Sequence, residues 1–325
     1  MGSWMRSACG AALVLGFTSA SLGVAAAQDF PSKPIRMVIG LSAGGGTDVT
    51  GRLVAQKMSE FMKTTVVVEN KPGGNFIPAA KEVLASLADG HTLYFISSSS
   101  LITQALHPDY PVDLLKFAAI TEVSTGPLIL VSRNDLGLKS IKDVIDYARK
   151  KPGKLKFGTG GGTGSSLYLA TALLKTTAKL DIDIVPYRGS GPALNDLLGG
   201  HIDLMFDAMP MMSAQAKEGK VTPVVITGGK RSATLPEVAT MQENGLSFEI
   251  TGWYGILAPP DTPAPIVQRL RDEAAKAVGQ TDVIEKLAVQ GMVPRGTEPA
   301  EFARYMKSEL DFYTKIIKDA GIKPE

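Results

Sequence analysis

Two glycine-rich turns hold the residues whose types and spacing speak most clearly of chemistry. The first, Ser42-Ala43-Gly44-Gly45-Gly46-Thr47-Asp48, follows the apolar run 35–39. The second, Gly160-Gly161-Gly162-Thr163-Gly164-Ser165-Ser166, follows the run 155–158. Each leads from a strand-like segment into a helical pattern. The free N–H groups of the helix's first turn, with the positive end of its dipole behind them, then face the loop. Glycine lets a ligand approach that main chain without a Cβ in the way. The chemistry is anion binding, and one such turn early plus one mid-chain predicts two lobes holding one anion from opposite sides.

Other chemistries find less support. The first turn lacks the lysine and serine or threonine of a Walker loop. The second has Thr163 where a dinucleotide fingerprint needs a small residue. His91, His107 and His201 have no metal-ligand spacing to one another, and no Gly-x-Ser-x-Gly elbow occurs. No cofactor or metal is expected. Asp48 could act as a base, but its place at a helix start favours an N-cap role. Arg188 offers a bidentate carboxylate clamp or an ion pair with Asp203 or Asp207, and both readings stay open. Tyr187, Tyr168 and Trp253 could line a pocket or fill the core. The serines 97–100 end a strand, where open α/β sheets place ligands; a solvated turn is the alternative.

The elements that must position these groups alternate. Strands are predicted at 35–39, 66–68, 92–96, 128–131, 155–158, 182–186, 202–206, 221–227 and 253–258. Helices are predicted at 49–61, 79–87, 140–150, 167–174, 192–198, 266–278, 282–290 and 299–321. Strand–helix alternation means parallel βαβ units, an α/β fold. A length of 325 residues exceeds one comfortable α/β domain. The expected division is residues 29–128 plus 252–325 as one lobe and 129–251 as the other. The chain would cross twice, near Pro127 and Gly252, as a hinge requires.

Residues 1–27 read as a secretory signal: Arg6, a short apolar stretch over 11–23, and Ala25-Ala26-Ala27 before a cut ahead of Gln28. That stretch is too short to span a bilayer. Cys9, the one cysteine, precedes it, which argues against a lipoprotein; its removal leaves a mature chain without disulfides, as a core of this size permits. With 34 basic and 32 acidic residues, near-neutrality speaks against nucleic acid and anionic membranes as partners.

The chain resembles the Bug-type extracytoplasmic receptors of tripartite tricarboxylate transporters, from about Phe30 to the C-terminus. The resemblance rests on Asp29-Phe30-Pro31-Ser32-Lys33-Pro34-Ile35-Arg36, Ala43 to Asp48, Val68-Glu69-Asn70-Lys71-Pro72-Gly73-Gly74-Asn75 and Ala88-Asp89-Gly90-His91-Thr92-Leu93. It continues in Val185-Pro186-Tyr187-Arg188-Gly189, Leu197-Leu198-Gly199-Gly200-His201-Ile202-Asp203 and Leu257-Ala258-Pro259. It implies a periplasmic-binding-protein fold of the Venus flytrap kind, two doubly wound sheets joined by a hinge. It also implies a monomeric periplasmic receptor that captures an aliphatic or aromatic carboxylate for membrane subunits. The family's carboxylate-holding loops fall on Ser42 to Asp48 and Gly160 to Ser166, with Ser98, Asp207 and Ala208 as further cleft positions. The chain departs from the family pattern at Tyr168, where relatives often carry histidine, and at its four serines. Tyr168 there could stack on an aromatic ligand. A sensor for a membrane kinase, or an enzyme acting on a carboxylated substrate, are the rival readings.

Overall fold

The computed structural model describes residues 30–187, 189–246, 249–289 and 291–323. The predicted signal segment, its cut after Ala27, and Arg188 lie outside them. Strand β1 (Ile35–Ile39) pairs in parallel with β2 (Val66–Asn70) and β3 (Thr92–Ser97). Its side chains alternate between two faces: Ile35, Met37 and Ile39 join one apolar cluster with Met58, Phe95 and Leu270, while Val38 joins another with Tyr94 and Ile96. Burial on both faces is why the run reads as continuously apolar. The helix Gly46–Met62 follows β1, and the helix Ile77–Leu84 follows β2. The latter ends three residues short of the predicted 87, leaving Leu87 exposed.

β4 (Ala118–Ser132) is fifteen residues long, and only its second part was expected as a strand. The sequence Gly126-Pro127 reads as a break because proline gives no ladder donor. In the fold the strand passes through that point while changing partners. Residues 118–127 pair antiparallel with β9 (Thr251–Ala258), and 128–132 pair with β7 (Leu204–Ala208) and β8 (Thr222–Ile226). β5 (Lys156–Gly160) joins β7 and β6 (Asp183–Tyr187) in parallel. The order β2-β1-β3-β9-β4-β7-β5-β6 therefore forms two half-sheets that share β4, with β8 and the short β10 (Val293–Pro294) also on it. The fold is α/β and two-lobed, and the two halves are joined by a common strand as well as by chain crossings.

Thr227 stitches the seam. Its hydroxyl accepts from the Leu128 amide at 2.9 Å and donates to the Ile250 carbonyl, and its own amide donates to the Leu128 carbonyl. Helices cover both halves: Ile141–Lys150, Ser166–Thr177, Ser190–Leu198 and Met209–Lys217 around the second, Ala264–Val278, Thr281–Val289 and Pro299–Asp319 around the first. The capping serine read at 140 takes its place, accepting from the Asp143 amide at 3.2 Å.

Of the two readings of the serine run, the solvated turn is the one corrected. Ser98 to Ser100 are the first turn of a helix, Ser98–Leu106, not a solvated turn. Ser98 and Ser100 are buried.

Candidate functional site

A cavity of about 370 Å³ lies where the two half-sheets meet. Five helices begin on it. Their N-caps, Gly45, Ser97, Ser165, Gly189 and Ala208, all have extended backbone and all line the cavity. Of the five, only Ser165 caps its helix with its side chain, accepting the Tyr168 amide at 3.1 Å. The other four starts carry no side-chain cap, so their first-turn N–H groups lack the usual intrahelical or side-chain acceptor. Each start adds positive potential at the same place. No lysine, arginine or histidine is among the described lining residues.

The structure brings together most of the predicted positions. Ser42, Ala43, Gly45, Gly46 and Thr47 line the cavity from the first half, with Ser98 beside them. Gly160, Gly161, Ser165 and Ser166 line it from the second half, with Asp207 and Ala208. Gly44, Asp48, Gly162, Thr163, Gly164 and Tyr168 are not part of its wall. Gly164 instead bridges the halves, its carbonyl accepting from the Thr103 hydroxyl at 3.5 Å. Tyr168 sits in the first turn of its helix and presents no wall to the cavity.

Not every amide in the two turns is free. Gly44, at φ +87°, donates to the Asp48 carboxylate at 2.9 Å. Gly161, at φ +85°, and Gly162 both donate to the Tyr187 carbonyl, at 2.9 and 3.2 Å. These amides shape the loops, leaving those of the helix starts to face the cavity.

Asp48 is a second correction. The N-cap is Gly45, and Asp48 lies in the helix's first turn. Its buried carboxylate also accepts from Arg52 and from the Asn70 amide, each at 3.0 Å. Burial pushes its pKa up, but the bonds from Arg52, Gly44 and Asn70 outweigh that and hold it below the usual carboxylate range. A base needs a free lone pair and a raised pKa, and Asp48 has neither.

Asp203 is engaged by Arg133 at 3.0 Å and by the Lys156 amide at 2.9 Å. Asp207 differs. It is 5% exposed, Oδ1 accepts its neighbour's amide, that of Ala208, at 2.7 Å, and no described donor reaches Oδ2. Burial lifts its pKa to about 6, against the pull of the Ser190 hydroxyl and the Ala208 amide.

Among the aromatic candidates, Tyr187 donates to Asp196 at 2.6 Å, away from the cavity. Trp253 does both things foreseen for it: it lines the cavity floor, and its indole N–H is held in the core by Glu309 at 3.0 Å. His91 is buried and accepts the Ser32 amide at 3.2 Å, a structural role. Among the described residues no group of His, Cys, Asp or Glu is arranged to hold a metal, and no helix is long and apolar enough to cross a membrane.

Sequence reasoning missed Ser190 and Tyr254, both in the wall, whereas Ser97 lines it as one of the serines read as a possible ligand position. Ser190-Gly191-Pro192 after a strand was the available signal for one more open helix start. Tyr254 packs its hydroxyl so close to Gly46 that a Cβ there would lie 2.7 Å from it.

Two half-sheets with a cavity at their seam, onto which five helix starts open, form the architecture of a two-lobed solute-binding protein. The chain matches the model of the Tripartite tricarboxylate transporter family receptor over residues 50–322, and it belongs to that family. It is 34% identical over 310 residues to the UPF0065 protein in the tcbD-tcbE intergenic region of Pseudomonas sp. (strain P51), covering 94% of this chain and 92% of the relative. Among solved structures it is similar to an R. palustris protein with adipate, at TM-score 0.83 and 30% identity over 91% of this chain and all of the other, 100%. It is also similar to MatC from Rhodopseudomonas palustris with bound malate, at TM-score 0.79 and 29% identity, covering 89% of this chain and 100% of that one. The family is one of extracytoplasmic receptors, and the chain is a solute-binding receptor, not an enzyme.

Proposed function

We propose that the protein captures a small carboxylate in the cavity between its lobes and presents it to the membrane subunits of a tripartite tricarboxylate transporter. The observation that carries this reading is the convergence of five helix N-termini, four of them uncapped by side chains, on one cavity. Adipate and malate on two structural neighbours support the carboxylate class. A charge-assisted hydrogen bond contributes about 1.5–3 kcal/mol. Several such bonds reach the roughly −8 kcal/mol of micromolar affinity even after the cost of immobilising the ligand.

In this reading the lobes are residues 29–128 plus 252–325 and residues 129–251. The hinge is where Gly126 and Pro127 face Gly252 and Thr251 across β4 and β9. The mature chain begins at Gln28 and acts as a monomer. Main-chain donors hold the carboxylate, and Arg188 adds to them without being the principal clamp. The test is calorimetry on the mature protein with mono-, di- and tricarboxylates, aliphatic and aromatic. At least one acid should bind with micromolar affinity or better and raise the melting temperature as mass action requires. Absence of binding across the panel overturns the proposal.

A further inference from the structure

The chain's formal net charge is only +2, and that near-neutral sum hides a local excess. Arg149, Lys150, Lys151, Lys154 and Lys156 put five cations into eight residues with no acid among them. All five are exposed. The fold gathers them at one pole of the second half. The helix Ile141–Lys150 ends there, and a turn through Pro152 and Gly153 leads into β5. The helix Ser166–Thr177 runs back along β5, so exposed Lys179 arrives near the start of the parallel neighbour β6. At their other ends β5 and β6 lead to the cavity, through Gly160 and Gly189. The pole therefore faces away from the solute site.

Little offsets these cations. Asp146, the acid on the same helix, is bonded by Lys142 at 2.7 Å, and Asp203 by Arg133 at 3.0 Å. Asp181 and Asp183 are the exposed acids beside the patch, Asp183 opposite Lys156 in the ladder. None of the six cations is in a salt bridge among the described residues; Lys151 lies over the Tyr147 ring, 4.7 Å from its centre. The make-up of the patch selects its partner. Protein interfaces centre on desolvated aromatic or apolar anchors and are depleted in lysine, and no exposed large hydrophobic side chain lies between residues 139 and 183. Lysine is a hydrated, mobile point charge, suited to a diffuse negative field rather than to one shaped group. An anionic lipid surface provides such a field, attracting each nearby lysine or arginine within a Debye length.

We propose that this pole is a membrane-contact surface, which holds the receptor reversibly on anionic phospholipid while the cavity stays free. Whole-chain near-neutrality argues against such a partner only when charge is spread evenly, and here it is not. The inference goes beyond the carboxylate reading and does not depend on which solute fills the cavity.

The test is sedimentation of the protein, from Gln28 onward, with vesicles of phosphatidylethanolamine alone or mixed equally with phosphatidylglycerol. Retention at low salt should require phosphatidylglycerol and should vanish at about 1 M salt, where the Debye length is about 3 Å. Lys150→Glu with Lys154→Glu should weaken retention at least about tenfold and leave the melting curve unchanged. Lys81→Glu with Lys318→Glu makes the same change in net charge at exposed positions on helices of the first half. That control should weaken retention by about threefold or less. The proposal is overturned if phosphatidylglycerol adds nothing, if salt has no effect, or if the two double variants weaken retention equally. Should the first double variant fail to fold, Lys150→Gln with Lys154→Gln decides in its place. Retention only on neutral vesicles that carry the transporter's membrane subunits overturns it in favour of a protein partner. Carboxylate calorimetry on the same samples reads the cavity separately: affinity should match wild type in both double variants, and absence of carboxylate binding would overturn the receptor reading while leaving the vesicle result to decide this one.

Discussion

The two glycine turns that face each other across the cavity are held in shape by different means. The first is tied by charge: the Asp48 carboxylate gathers the Gly44 amide, Arg52 and Asn70. The second is tied by neutral groups: Gly161 and Gly162 hang on the Tyr187 carbonyl, and the Ser165 hydroxyl donates to Gly162 while accepting from Tyr168. The same local task, bringing a helix start to the cavity, therefore costs one lobe a buried ionic network and the other only backbone and hydroxyl bonds. The first arrangement sets a negative charge directly behind the proposed anion site, and Arg52 offsets it. The second needs no such compensation, but it leaves less room around its glycines.

That difference in room gives the largest expected effect. A Cβ on Gly160 would lie 2.7 Å from the Ser190 amide nitrogen and 2.9 Å from the Gly189 carbonyl carbon, backbone atoms that cannot step aside cheaply. A Cβ on Gly45 meets nothing nearer than the Ser42 carbonyl at 4.0 Å, and Gly45 already has extended backbone that valine accepts. Gly160→Val should cost about 3 kcal/mol or more and lower the melting temperature by several degrees. Gly45→Val should leave the melting curve unchanged and weaken carboxylate binding by roughly tenfold or more, about 1.4 kcal/mol, because the side chain enters the cavity. Calorimetry and thermal melts on both variants check the contrast; equal melting temperatures would break it.

The contrast between the turns also marks what could be read from residues alone. Both turns, the strands beside them and the helices after them were legible, because a glycine cluster between two apolar runs punctuates the chain as a turn. The engagement of Gly44, Gly161 and Gly162 was not. It depends on Asp48 sitting one turn inside its helix and on the carbonyl of Tyr187, a partner 26 residues away from Gly161 along the chain. The helix at Ser98 was hidden because serine is a poor helix former that prefers caps and turns; burial of Leu101, Ile102 and Leu106 overrides that preference. The full length of β4 was hidden by Pro127, which breaks a ladder only where a donor is needed. Here the strand exchanges β9 for β7 at that residue. The unmet oxygen of Asp207 has no sequence signature at all, since it is defined by what does not reach it.

The charged anchor predicts the next effect. Asp48→Ala strands the Gly44 and Asn70 donors and leaves Arg52 without its carboxylate, at a cost of about 2–3 kcal/mol. This contribution depends on pH. The folded state holds the Asp48 carboxyl below its ordinary value of 3.8, so between the two values the unfolded chain binds the extra proton and stability rises with pH. The difference between wild type and Asp48→Ala should be fully present above about pH 4 and should shrink as the pH falls below it. Denaturant unfolding at pH 7, 4 and 3 measures it; a difference that stays constant over that range would remove the charge as its cause.

The neutral anchor predicts the smallest effect and the contrasting pH behaviour. Ser165→Ala removes the hydroxyl that caps its helix at Tyr168 and braces Gly162, a loss of about 1 kcal/mol for an N-cap serine. Neither bonded partner titrates, so this deficit should be the same at pH 7 and pH 3 while the Asp48 deficit shrinks. The variant also separates shape from field. If the second turn needs Ser165 only for shape, carboxylate affinity should fall by less than about threefold. If the alanine instead frees the Tyr168 amide to face the ligand, affinity should rise, and the two turns would prove limited by opposite things: the first by the charge behind it, the second by the donors it spends on itself.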